Sequence, residues 1–136
     1  MTYTRSALLS AALAALAFSI TPAGSAEDHK SDGHHHDGKH GGKVVESGHH
    51  HVEIVAKDGS LEVYVNGEDG KAEDISSAKA TAAVLSDGKK VDITLAADPE
   101  NFLKGTGTFK ASKGATIVVT LTMPGHTPEQ SRIKLD

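Results

Sequence analysis

The sequence predicts an all-β domain: a small antiparallel β-sandwich or open barrel of about seven strands, preceded by a flexible histidine-rich segment. Three observations carry this expectation. Two stretches of alternating apolar residues are each folded about an Asp-Gly dipeptide, Asp58-Gly59 and Asp87-Gly88. The run "ATIVVTLTM" is β-branched and alternates Ile117, Val119, Leu121 and Met123. Composition also breaks sharply, because residues 27 to 42 contain no hydrophobic side chain and strands and turns begin from Val44.

In chain order, the first 26 residues read as a secretory signal. One positive charge (Arg5) precedes an apolar run from Ala7 to Ile20, and the segment ends in Gly24-Ser25-Ala26, which predicts cleavage after Ala26. A membrane anchor is the alternative, but the 14-residue run falls short of the ~20 that a spanning helix needs. No cysteine follows to carry a lipid. The expected mature chain is exported, to a bacterial periplasm, with no membrane insertion after cleavage. Its 110 residues suffice for one domain with a single core, residues 43 to 136, behind the tract 27 to 42. With 13 basic against 18 acidic residues, nucleic acid is not an expected partner.

The tract cannot bury enough apolar surface to offset its ordering entropy, so mobility is expected without a ligand. The first hairpin follows. With Asp58-Gly59 as pivot, Ala56 faces Leu61, Ile54 faces Val63 and Val52 faces Val65, all on one sheet face. The other face carries His51, Glu53, Val55 and Lys57 opposite Asn66, Tyr64, Glu62 and Ser60. The second hairpin pairs Val84 with Val91, Ala82 with Ile93 and Ala80 with Leu95; an alanine-rich helix over residues 78 to 85 is the competing reading. "FLKGTGTFKA" reads as a broken strand or two short ones, interrupted by Gly105 and Gly107. After Pro124-Gly125, "SRIKLD" closes the chain.

Eight of the nine histidines lie between His29 and His51. Imidazole is a good ligand for zinc, copper and nickel because it loses its proton near neutral pH. Without cysteine, any metal site must use imidazole, carboxylate, thioether or backbone oxygen. His29, His34, His35, His36 and His40 sit among Asp28, Asp32, Asp37 and glycines, a chain able to wrap an ion. The competing reading is a solvated leader, which would more normally use Ser, Glu or Lys. In "HHHVE", alternation puts His49, His51 and Glu53 on one face and His50 on that of Val52. Same-face neighbours lie about 7 Å apart, within reach of one ion. Tyr64 stands opposite Glu53 to orient a ligand. The plainer account is polar residues guarding a sheet edge. Met123 and His126 form a thioether–imidazole pair suited to copper, unless Met123 belongs to the core. No arrangement for catalysis stands out, so an enzyme is not expected; a metal-dependent hydrolase is a minor alternative.

Along "HGGKVVESGHHHVEIVAKDGSLEVYVNGEDGKAEDIS" the chain resembles small exported histidine-rich bacterial proteins. It also resembles the N-terminal metal-binding segment of heavy-metal efflux adaptor (periplasmic membrane-fusion) proteins. His40-Gly41-Gly42, His51-Val52-Glu53, Val63-Tyr64-Val65 and Asp69-Gly70 carry the likeness. It extends loosely through "VDITLA" and "IVVTLTMPG". The resemblance implies a periplasmic β-domain associated with divalent heavy metals, with His40, His51 and Glu53 as ligands and Tyr64 nearby. The coiled-coil and lipoyl-like parts of an adaptor are lacking, so a stand-alone carrier or buffer fits better. The expected function is therefore sequestration or delivery of a divalent transition metal, zinc before copper or nickel. The alternative is a docking module for a periplasmic efflux or uptake component without high-affinity binding of its own. Histidine ligation predicts that zinc affinity, measured by calorimetric titration, collapses between neutral pH and about pH 5, where protons occupy the same nitrogens.

Overall fold

The computed structural model describes residues 36 to 136. These contain nine strands and no helix: β1 (His36–Asp37), β2 (Lys43–Ser47), β3 (His50–Lys57), β4 (Ser60–Gly67), β5 (Lys79–Ser86), β6 (Lys89–Asp98), β7 (Phe102–Thr106), β8 (Thr116–Thr122) and β9 (Glu129–Lys134). They form one antiparallel sheet in the order β1-β2-β3-β4-β7-β6-β5-β8-β9.

Both Asp-Gly hairpins have the register their apolar alternation predicts. Val52 pairs with Val65, Ile54 with Val63 and Ala56 with Leu61 across β3 and β4. Ala80 pairs with Leu95, Ala82 with Ile93 and Val84 with Val91 across β5 and β6. Asp87 (φ 51°) and Gly88 (φ 73°) both adopt the left-handed conformation, whose twist matches that of the flanking strands. The alanine-rich stretch is therefore strand: its small side chains fill the interior opposite Ile93 and Leu95 while its partners supply the bulk.

Strand β6 joins the two halves. Its first part pairs with β5, and Ala96, Ala97 and Asp98 pair with β7, which runs beside β4. "FLKGTGTFKA" yields one strand ending at Thr106. The remainder is held to the first hairpin turn, where Gly59 N–H donates to the Phe109 carbonyl (3.0 Å) and Ala111 N–H to the Asp58 carboxylate (2.8 Å).

The sheet curls until β9 faces β2, giving a nearly closed barrel. Lys43 Nζ reaches the Lys134 carbonyl (2.8 Å) and the Asp136 carboxylate, and at the other end His50 meets Glu129. The interior is aliphatic: Ile54, Leu61, Val63, Val84, Leu103, Ile117, Val119 and Ile133 are essentially inaccessible to solvent. Two strands exceed the expected number. β2 pairs Val44 with Glu53 and Val45 with Val52, and β1 pairs His36 with Val44. Residues 36 to 42, expected within the mobile tract, thus belong to the folded unit. Leu61→Ala should cost about 2–5 kcal/mol through lost contacts and an interior void, read from the urea-unfolding midpoint.

Candidate functional site

Strand β3 bears histidine or carboxylate on both faces, and each face leads to a separate cluster. On the outer face, the turn between β1 and β2 folds down over Glu53. Glu53 Oε1 accepts the backbone N–H groups of His40 (2.8 Å) and Gly42 (3.0 Å), while Oε2 lies 2.8 Å from His40 Nδ1. The His40 ring stacks on Tyr64 at 3.6 Å and 6°, and Tyr64 stacks in turn on Phe102 at 5.2 Å. Glu53 retains only 2% of its surface. Glycine is required twice here: a Cβ on Gly42 would sit 2.5 Å from the Ile54 carbonyl oxygen, and one on Gly38 would sit 2.1 Å from the Glu53 carboxyl carbon. His40-Gly41-Gly42 is a fitted strap over a buried acid.

Burial would raise the Glu53 pKa. The hydrogen bond from Gly42 and those from the His40 ring and backbone outweigh it, so the net shift is downward. The folded state therefore favours the ionised acid. Its contribution to stability is complete above the ordinary carboxylate pKa of about 4.3 and is lost as pH falls through the lowered value.

The second cluster lies where β3 begins. His50 points inward with its side chain 5% exposed, and its Nδ1 is 3.1 Å from Glu129 Oε2 at the start of β9. The His126 ring approaches His50 edge-on, with centroids 5.3 Å apart. His49, in the turn before β3, is exposed and bonds Glu68 through Nδ1 at 2.9 Å. That hydrogen bond, and then the charge of Glu68, raises the His49 pKa. An open depression of about 560 Å³ is lined by His49, His50, His126 and Met123 together with Glu68 and Glu73.

The candidate residues of the sequence divide accordingly. His29, His34 and His35 lie outside the described residues, and His36 starts β1. His40, Glu53 and Tyr64 come together on the outer face. His49 and His50 border the depression. His51 stands between Glu46 and Asn66 on the neighbouring strands, apart from the His40–Glu53 contact. Both Glu53 oxygens are committed to the strap, and among the described residues no three His, Asp or Glu groups converge tightly enough to hold a metal ion. Met123 is buried at 6% exposure and still lines the depression. Sequence reasoning missed Glu129 and Glu68. Glu68 lies just past β4, paired with β3, and was within reach of a hairpin argument; Glu129 meets His50 only through barrel closure.

Comparison with known protein families, with curated proteins and with solved structures finds no match.

Replacing Glu53 by Gln removes a charge that two backbone donors and an imidazole stabilise, and should cost about 2–3 kcal/mol at pH 7. The gap between Glu53→Gln and the parent chain should narrow below about pH 4, as the parent acid also takes a proton. Urea unfolding at pH 7, 5 and 3.5 measures this.

Proposed function

We propose that this protein is an exported carrier that captures divalent transition metal ions through clustered histidines and sequesters or delivers them, zinc before copper or nickel. One observation supports this most directly. His40, His49 and His50 each turn Nδ1 toward a glutamate, respectively Glu53, Glu68 and Glu129. A carboxylate at Nδ1 fixes the ring's orientation and the tautomer that leaves the Nε2 lone pair to bind metal. The same chain carries a tract in its sequence, His29 to His36, whose residue types are those of a flexible chelator. The role is that of a carrier rather than an enzyme, in the periplasm, as the resemblance to efflux-adaptor segments implies.

A second reading, a docking module for an efflux or uptake component, draws support from a different surface. The outer face of β5, β6 and β8 carries depressions lined by Thr81, Thr94 and Thr120 with Asp92, Lys79 and Gln130, without histidine. A flat face of that kind suits a partner's backbone and apolar atoms.

Calorimetric titration with Zn²⁺, Cu²⁺ and Ni²⁺ separates the two. The carrier reading expects submicromolar binding of zinc or copper, greatly weakened when His29, His34, His35 and His36 are all replaced by Ala. A protein that takes up none of these ions at neutral pH is not a carrier, and the docking reading then stands.

A further inference from the structure

We propose that His50 and His126 form a distinct site for a single zinc or copper ion at the open end of the barrel, with Glu129 as the positioning residue behind His50. The proposal deepens the carrier reading, on which it rests, by assigning one ion to the folded domain rather than to the tract.

Three features of the geometry point there. First, His50 is a buried imidazole with one nitrogen in use. Nδ1 lies against the Glu129 carboxylate, so Nδ1 carries the hydrogen and Nε2 the lone pair. Among the described residues Nε2 has no hydrogen-bond partner and no buried polar atom is sealed without one, so this nitrogen borders the depression that His50 lines. Second, the His126 ring stands at a separation from His50 that is compatible with a shared ion. Two imidazoles bound to one tetrahedral ion at about 2.0 Å hold their ring centroids about 5 Å apart, and the His50 and His126 centroids are separated by 5.3 Å. The His126 turn is fixed by its own N–H, which donates to the Met123 carbonyl (3.0 Å). Third, the surroundings favour a cation. Glu68, Asp69, Glu73 and Asp74 line the same depression, and a rim of one sign concentrates counter-ions in it.

With two imidazoles only, the site is open. Its remaining positions are left to water, to the Met123 thioether that lines the depression, or to a ligand from a recipient protein. An open site suits transfer, because an incoming ligand can bind before the outgoing ones leave. Zinc and copper match an imidazole pair, and a thioether beside it adds affinity for copper.

The test uses the full mature chain. In the variant with His29, His34, His35 and His36 replaced by Ala, Zn²⁺ calorimetry should still find one equivalent. Adding His126→Ala, an exposed turn substitution that leaves the fold intact, should weaken that equivalent at least tenfold. Adding Glu129→Gln instead should weaken it about 10- to 100-fold while His50 remains present. Nitrogen-detected NMR of the imidazoles should show the His50 Nε2 signal move on Zn²⁺ addition while Nδ1 keeps its proton. If the tract variant binds nothing while the parent chain binds, the site is refuted and the carrier reading survives. If one equivalent persists unchanged in His126→Ala, the site is also refuted. If the tract variant and the parent chain bind the same single, His126-dependent equivalent, the site stands and the tract's share in the carrier reading falls.

Discussion

Strand β3 is buried on both faces, and most of the molecule is arranged to make that possible. Its inner face, Val52 and Ile54, is covered by the rest of the barrel, as in any sheet with one wet side. Its outer face carries Glu53, which cannot be covered by apolar atoms without a large cost for an unpaired charge. The strap of residues 38 to 42 meets that constraint with two backbone N–H groups and an imidazole, while Val55 is buried on the same outer face. A buried acid thereby fixes the path of residues 38 to 42 across the sheet.

Barrel closure has a parallel logic at the other end of β3. The sheet has two edges, and unpaired edges invite association with other chains. Side chains bridge the gap to β9: Lys43 of β2 to a carbonyl and a carboxylate at one end, His50 of β3 to a glutamate at the other. The His50–Glu129 contact is therefore structural and chemical at once. It ties the last strand to the third and presents a nitrogen to the depression outside.

The two histidine–carboxylate clusters differ in what they can do. His40 and Glu53 are satisfied by one another and by the strap, and the carboxylate has no oxygen left over for an ion. His49, His50 and His126 stand around open space with acidic neighbours, which is the environment in which imidazole meets a cation. The same residue type thus serves as a clamp on one face and as a prospective ligand on the other, and what separates the two roles is the neighbours: His40 clamps Glu53 and stacks on Tyr64, whereas His50 and His126 meet beside the depression.

Alternation and turn chemistry determined a great deal from the sequence alone. Both hairpins, every pairing across them, the inward set of β8 and the strand nature of the alanine-rich stretch follow from period-two patterning and the Asp-Gly turns, because a side-chain period of two leaves one register that turns the alternating apolar set inward. Gly42 and Glu53 gave only a hint, through the spacing of His-Gly-Gly and His-x-Glu, since a carboxylate beside a glycine strap reads the same as one on a wet edge until the strap is seen to fold. His50–Glu129 and His50–His126 were beyond reach. They join residues more than seventy positions apart through the curl of the sheet, which comes from the accumulated twist of nine strands rather than from any local pattern. Local periodicity decided the strands; only closure of the barrel decided which histidines would stand together.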